Sequence, residues 1–334
     1  MNSIQQKMKF LRTTIETVPK KLQTLYRFGF SILSFREIHS LRSNSRLLNL
    51  NWHTAKSKAF RVTKSKNLLE IFPKLLLSLG IVSQMDTLAV DFSDFNGFQI
   101  LMFAKQTRKG RAIPAYFEIL EYPIKKNSQN TFVIHTIENL SKLLGFRPKL
   151  VFDRGFACPS IIEYLCQKKH PFVIRIKKIK KVTDKKTGKV LLVKESKRDD
   201  FKVIAYGQEN LRIVISDIPK DNNDPWYLVT NDLRSKRATI IRTYYHRFEI
   251  EEFFRDAKRV MGLEYVKFKK KRSLAIALWF VMLGMWFVQT LKETKQDKSL
   301  RKKMQLSRVR YFFEKMKAEI FTLSEGRFLM ERSV

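Results

Sequence analysis

Three kinds of side chain are scarce in this chain of 334 residues. Only two cysteines occur, Cys158 and Cys166, without metal-ligand spacing around them, which argues against a disulfide framework and fits a reducing compartment. The five histidines are scattered and none pairs with a cysteine at zinc spacing, so we assign them no role. Acidic residues number 31 against 66 Lys plus Arg, a formal charge of +35 that calls for an anionic partner. Nucleic acid is the favoured partner, ahead of an anionic membrane or mere solubility.

Long apolar runs are scarce as well. The first residues, MNSIQQKMKFLRTTIETVPKK, contain no run that could serve as a secretory signal, so we expect a cytoplasmic protein. Residues 274–288, LAIALWFVMLGMWFV, are apolar all round but shorter than the ~20 residues that span a bilayer. We predict a buried core helix there, with a membrane anchor as the alternative.

The N-terminal part of the chain has a helical and basic pattern. In KSKNLLEIFPKLLLSLG an apolar face is predicted, and Pro73 is expected to bend or divide the helix. Just before it, Arg42, Arg46 and Trp52 lie in a segment that suits phosphate contacts, and a solvated helix end is the equal alternative.

From about residue 86 the period changes to that of strands. Three short apolar runs separated by Asn96-Gly97 and Lys109-Gly110 predict a three-stranded meander. A helix, a buried strand, a second helix and another strand follow, which together predict a mixed sheet covered by helices. The lysine-rich stretch after them predicts an inserted β segment that closes near residues 224–232.

Two aspartates directly follow short apolar strands. Asp91 comes after residues 88–90, and Asp153 after residues 150–152. A carboxylate at the tip of a buried strand is unfavourable unless it faces a cleft or a cation, although aspartates at strand ends also simply favour turns. Asp86 and Asp94 are rivals for the first position, but Asp86 precedes the strand and Asp94 lies on the opposite pleat.

The segment YYHRFEIEEFFRDAK predicts a helix with one functional face. Tyr244, Arg247, Glu251 and Lys258 fall within roughly 60° on it. Arginine and lysine suit a phosphate, the first by a bidentate fork and the second as a point charge. The alternative is a row of weak helix salt bridges, such as that of Glu251 with Arg247.

Asp91, Asp153 and Glu251 together form a candidate metal-binding set. Three carboxylates suit Mg²⁺ or Mn²⁺ rather than zinc. Two such ions, about 3.5–4 Å apart, can activate a water or a 3′-hydroxyl and stabilise the leaving oxygen of a phosphodiester. We therefore predict metal-dependent phosphodiester chemistry on a nucleic acid.

The same residues resemble a known family. The pattern Y-x2-R-x3-E-x6-K is similar to the Tyr-Arg-Glu-Lys signature of bacterial DDE transposases of the insertion-sequence-four family, a cut-and-paste type. VFDRGF around Asp153 and AVDFSDF around Asp91 resemble the two aspartate motifs of that family, except that DFSD replaces its commoner Asp-Gly-Thr. The resemblance covers about residues 86–265.

The resemblance implies an RNase H-like α/β fold, a mixed sheet with flanking helices that is interrupted by a β-rich insertion, with helical N- and C-terminal regions. The expected divisions are an N-terminal DNA-binding region (1–85), a catalytic domain (86–177 and 228–265), the insertion (178–227) and a C-terminal helical region (266–334).

It also implies a role for each site residue. Asp91, Asp153 and Glu251 would bind two Mg²⁺ ions, and Tyr244, Arg247 and Lys258 would position DNA phosphates. Trp226 would stack on a base flipped from the transposon end, with ordinary core packing as the alternative. The basic stretches 177–189 and 267–272 would follow the DNA backbone.

The implied function is a transposase that cleaves DNA at the ends of an insertion sequence and transfers the strands. It would act at the bacterial nucleoid as a homodimer that synapses two transposon ends. The alternatives are a metal-dependent nuclease of the same fold without strand transfer, a catalytically inactive DNA-binding relic, and a membrane-surface protein.

Overall fold

The computed structural model describes residues 10, 12–23, 26, 51–95, 97–123, 128–217, 224–260, 263 and 268–290. Its strands are β1 Thr87–Phe95, β2 Phe98–Lys105, β3 Ile113–Glu121, β4 Lys149–Phe152, β5 Phe172–Arg175, β6 Lys181–Asp184, β7 Val190–Leu192, β8 Asp200–Ala205, β9 Gln208–Ile215 and β10 Tyr227–Thr230. Its helices are α1 Trp52–Lys64, α2 Lys66–Ser78, α3 Ser128–Leu144, α4 Pro159–Gln167, α5 Arg237–Tyr245, α6 Glu249–Arg255 and α7 Lys271–Thr290. The ten strands form one sheet in the order β3-β2-β1-β4-β5-β10-β9-β8-β6-β7.

The first five strands are arranged as predicted. β1, β2 and β3 form an antiparallel meander, and the β1–β2 turn uses Gly97 at a φ of 86°, which favours glycine. β4 pairs parallel to β1 and β5 parallel to β4, with α4 as the connection between them. β4 and β5 are almost wholly buried, as expected of parallel strands covered on both faces. The mixed sheet with flanking helices is therefore confirmed.

The lysine-rich stretch forms strands that continue the same sheet. β6 pairs antiparallel with β7 and β8, and β8 with β9. β10 then returns between β5 and β9, antiparallel to both. In β8 buried and less buried residues alternate, the pattern of a strand with one covered face.

The helical segment after β10 is less regular than the sequence predicts. α5 is followed by a 3₁₀ turn at His246–Phe248, then α6, then a π-helical turn at Asp256–Val260. The expectation of one uniform helix is therefore corrected. Successive residues are rotated by more than 100° about the helix axis in a 3₁₀ turn and by less than 100° in a π turn. The direction in which the side chains point therefore changes along the segment.

α7 is the central core helix. It packs against β3, α1 and α2. Residues Lys271–Val288 are long and apolar enough for a membrane span, with a mean hydropathy of 1.4, yet 78% of them are buried within the protein. The predicted buried core helix at residues 274–288 is confirmed.

α1 and α2 adjoin at Ser65, which ends one helix and caps the next by accepting a hydrogen bond from Leu68 N at 3.3 Å. Pro73 does not divide the helix: α2 runs through it and buries an apolar face against the core. Arg42 and Arg46 lie outside the described residues, and so does the side chain of Trp52.

Candidate active site

Two aspartates lie side by side where β4 ends. Val90 pairs with Phe152 in the parallel register, so Asp91 and Asp153 are the next residues on adjacent strands, whose backbones run about 4.8 Å apart. Side chains alternate along both strands in the same phase, which places the two carboxylates on one face of the sheet. The helical segment 237–260 crosses this face.

Arg247 connects that segment to the sheet. Its Nη1 lies 3.2 Å from Asp91 Oδ2, and its Nη2 lies 2.8 Å from Glu251 Oε1. The Arg247 side chain is only 5% exposed, whereas that of Glu251 is 51% exposed. A buried guanidinium therefore bridges a carboxylate of the sheet and a carboxylate of the helix.

The electrostatics show that the carboxylates share one environment. Burial raises the pKa of Asp91 to about 6, although Arg247 and a hydrogen bond from Phe92 N act to lower it. The charges of Glu251 and Asp153 raise the pKa of Asp91 further. Such mutual repulsion between acids favours a cation among them.

Tyr244 connects the segment to the second aspartate. Its hydroxyl donates a hydrogen bond to Asp153 Oδ1 at 3.2 Å, and its ring is fully buried. Burial raises the pKa of Tyr244 to about 12, so the phenol remains protonated and able to donate. Tyr244 and Arg247 thus contact the strand-end aspartates directly, and Glu251 is joined to Asp91 through Arg247.

The donor set suits a hard divalent ion by its chemistry, since Asp91, Asp153 and Glu251 offer only carboxylate oxygens. Among the described residues, however, no three His, Cys, Asp or Glu side chains lie close enough together to hold a metal ion. The positive charge between Asp91 and Glu251 is that of Arg247.

Lys258 is placed apart from the other members of the predicted face. Its Nζ lies 4.8 Å from the centroid of the Phe95 ring, and Phe95 is the last residue of β1. Phe95 is four residues beyond Asp91, or about 13 Å along an extended strand. Seven residues of helix already separate Lys258 from Glu251 by about 10 Å, and the π turn that contains Lys258 also changes the direction of its side chain.

Trp226 lies under the helical segment. Its ring is 4% exposed and packs edge-on against Tyr244, at 5.1 Å between centroids, and also against Tyr245 and Phe248. This is the core packing that the sequence left open as the alternative to base stacking. Its Nε1 is buried without a hydrogen-bond partner among the described residues.

The rival aspartates face other partners. Asp94 accepts a hydrogen bond from the Tyr122 hydroxyl at 3.0 Å, and Asp86 binds Lys105 at 2.9 Å. In the predicted DNA-binding stretches, most of the lysines at 177–189 are exposed, as are residues 269–272, while Lys267 lies outside the described part.

One residue of this region gave no signal in the sequence. Glu249 is one of three neighbouring glutamates, with Glu251 and Glu252, and it lies off the helical face of Glu251. In the structure it is 5% exposed and accepts backbone hydrogen bonds from the loop after β2. Glu249 is distinguished only by its hydrogen-bond partners, which lie about 140 positions earlier in the chain.

Comparison with known proteins gives one family. A family model described as a transposase DDE domain matches residues 118–287, about half of the chain, which include Asp153 and the segment from Tyr244 to Lys258. The match begins after Asp91, which the sheet register brings to Asp153. A search of curated proteins finds no match. The mixed sheet with flanking helices is the RNase H-like architecture of such a domain, and the chain belongs to the family of transposases with a DDE domain.

Proposed function

We propose that this transposase catalyses metal-dependent cleavage and strand transfer of DNA at the ends of an insertion sequence, as members of the insertion-sequence-four family do. The observation that carries the proposal is the bridge made by Arg247 between Asp91 and Glu251, with Tyr244 bound to the adjacent Asp153. Family membership supports a DNA-cleaving enzyme, and the bridge supports the choice of residues.

In this proposal Asp91, Asp153 and Glu251 hold two Mg²⁺ ions, with Mn²⁺ as a substitute. The ions would supply charge that activates the attacking oxygen and stabilises the leaving one. The chain's own contribution is to orient the three acids, two of which are joined through Arg247 rather than gathered at one point. Arg247 does this for Asp91 and Glu251, and the Tyr244 hydroxyl fixes the orientation of Asp153.

Arg247, Tyr244 and Lys258 would also position the DNA phosphates. Arg247 suits this role because a phosphate could accept the bidentate fork that the carboxylates now share. Lys258 would act farther along the DNA, since its ammonium lies beside Phe95. Base stacking by Trp226 would require its ring to leave the cluster with Tyr244.

In this proposal, DNA also contacts exposed basic residues outside the site. The exposed lysines within 177–189 and the basic residues 269–272 would contact phosphates without reading sequence. A homodimer that synapses two transposon ends, at the nucleoid in the cytoplasm, completes the proposal.

The test uses purified protein, Mg²⁺, a labelled DNA carrying the element end, and a plasmid target. We expect cleaved and joined products from the wild type, and neither from Glu251→Gln, which should still bind the DNA. Glu163→Gln, on α4 and bonded to Gln167 of the same helix, is the matched control and should react as the wild type does.

Each other outcome is informative. Cleavage without joined product would replace strand transfer by simple hydrolysis. Binding without cleavage by the wild type would point to an inactive relic, and unchanged cleavage by Glu251→Gln would show that the site is misplaced.

A further inference from the structure

The helical segment that carries Arg247 and Glu251 has a second face of acids. Glu249, Glu252 and Asp256 lie on it, at spacings of three and four residues. All three bind the loop between β2 and β3, residues 106–112, which we call the β2–β3 loop. The segment is thus held on one side by the strand-end aspartates and on the other by this loop.

Glu249 makes the densest of these contacts. Its Oε2 accepts hydrogen bonds from Thr107 N at 2.7 Å and Arg108 N at 3.3 Å, and its Oε1 accepts one from Gly110 N at 3.2 Å. His246 Nδ1 lies 3.1 Å from the same Oε1. A buried carboxylate with this many donors has a fixed position, because moving it would leave its charge and several amides unpaired.

The neighbouring contacts also hold the helical segment against the β2–β3 loop. Ala112 N donates to the backbone carbonyl of Glu249 at 3.1 Å. Arg111 binds Asp256 at 2.9 Å and Glu252 at 3.0 Å. The β2–β3 loop therefore fixes the backbone and the side chains of α6 together.

These bonds close a ring through the site. β1 carries Asp91 and pairs with β2, β2 leads into the β2–β3 loop, and the loop binds Glu249. Glu249 is two residues from both Arg247 and Glu251, and Arg247 returns to Asp91. The segment that places the guanidinium between its two carboxylates is thus also bonded to the β2–β3 loop.

We propose that Glu249 is a positioning residue of this transposase: by holding the segment 246–251 against the β2–β3 loop, it places Arg247 between Asp91 and Glu251. The expected effect of Glu249 on cleavage rests on the proposed function, whereas its effect on the structure of the segment does not.

Glu249→Gln tests it with little change in shape. The amide replaces one acceptor oxygen by a donor, so at least one of the loop amides loses its partner. We expect faster hydrogen exchange at the amides of 107, 108 and 110 and also across residues 250–255. Single-turnover cleavage of the element end should slow by about tenfold or more, because small displacements of positioned groups reduce rates strongly. The Kd for that DNA should stay within about twofold, since a phosphate-dominated interface loses no cation.

Glu163→Gln is again the control, and it should change none of the three quantities. All measurements are made well below the melting temperature of each variant, so a purely structural role would leave the cleavage rate of the folded protein unchanged. That result, or exchange changes confined to the loop amides, would overturn the proposal. If Glu249→Gln does not fold, Glu249→Asp replaces it, because the shorter carboxylate also lengthens the bonds to the loop amides, and the same results would overturn the proposal.

The two proposals fail separately. A wild type that binds DNA without cleaving it would remove the proposed reaction. The positioning role of Glu249 would then be decided by hydrogen exchange, where acceleration across 250–255 supports it and its absence overturns it.

Discussion

Residues three positions apart on one strand have very different surroundings in this protein. Asp91 and Asp94 both belong to β1, but they point to opposite faces of the sheet. Asp91 meets Arg247 and the charges of two other acids, whereas Asp94 is exposed and bonded to Tyr122. Asp91 and Asp94 are therefore a matched pair of positions for mutagenesis.

On the proposed function, Asp91→Asn should lower single-turnover DNA cleavage by roughly 100-fold or more, because it removes the charge of a proposed metal ligand while keeping the size of the side chain. Asp94→Asn should leave the rate within about twofold, as is usual for a surface change away from the reacting groups. A larger loss in Asp94→Asn than in Asp91→Asn would transfer the role of first aspartate to Asp94.

His170 gives a prediction for the pH dependence of stability. Burial, followed by the charge of Arg147, lowers the pKa of His170 to about 4, from 6.5. The unfolded chain therefore takes up a proton between these values and the folded chain does not, so stability falls as the pH drops from 6.5 towards 4. The loss should reach about 3 kcal/mol.

Urea unfolding at several pH values measures this loss. His170→Asn should remove that part of the pH dependence whatever its effect at neutral pH. His135→Asn, at an exposed position on α3, should retain it. An unchanged pH slope in His170→Asn would assign the effect to other groups.

At the scale of elements, α7 holds the helical layer to the sheet. Phe72 on α2 is fully buried, stacks on Trp279 at 5.3 Å between centroids and meets Phe280 edge-on at 5.2 Å. The indole nitrogen of Trp286 donates to Pro114 O of β3 at 2.5 Å. α2, α7 and β3 are thus joined by aromatic packing and one buried hydrogen bond.

Phe72→Ala should lower the free energy of unfolding by about 3–5 kcal/mol, since it opens a cavity between two helices. Phe60→Ala is the control, because Phe60 on α1 is 58% exposed and its removal should lower that energy by less than about 1 kcal/mol. Denaturant titration measures both. Equal effects of the two changes would mean that the contact between α2 and α7 contributes little.

The local spacing of residues predicted much of the site's geometry. Tyr244 and Arg247 contact the strand-end aspartates, and Glu251 contacts Arg247, because helical periodicity over seven residues survives one 3₁₀ turn. The π turn that contains Lys258 could not be predicted in this way. Its Asp256 is held by Arg111, 145 positions earlier in the chain.

Burial was the other quantity that the sequence left open. Trp226 could stack on a base or pack in the core until the position of the helix above it was known. For Glu249, the deciding partners are backbone N–H groups, which every residue type except proline carries and no pattern of side chains reveals.

At the scale of the whole molecule, the net charge of +35 is the dominant property. Most of the lysines between 177 and 189 project from strands and turns of the far half of the sheet. A protein whose cations neutralise phosphates releases counterions, so its DNA affinity falls steeply with salt.

Replacing Lys186 and Lys189 by Gln should reduce the slope of log K against log salt by up to about 1.8, if each contacts one phosphate. Fluorescence anisotropy with duplex DNA at several salt concentrations gives the slope. Lys142→Gln is the control, because Lys142 is already paired with Glu138 at 2.9 Å and should leave the slope unchanged. An unaltered slope in the double variant would move the DNA path away from this region.

The position of β10 has a mechanical consequence for the enzyme. An inserted segment attached only by its two ends could tilt on its own when DNA pulls on it. Here β10 is paired in register with β5 on one side and β9 on the other, so tilting would break two ladders of backbone hydrogen bonds. Torque applied to the lysine-bearing strands is therefore transmitted through β5 to β4, the strand that Asp153 follows. On the proposed function, the strands of the insertion and the strand that leads to Asp153 would therefore move together on the DNA, without bending at the insertion.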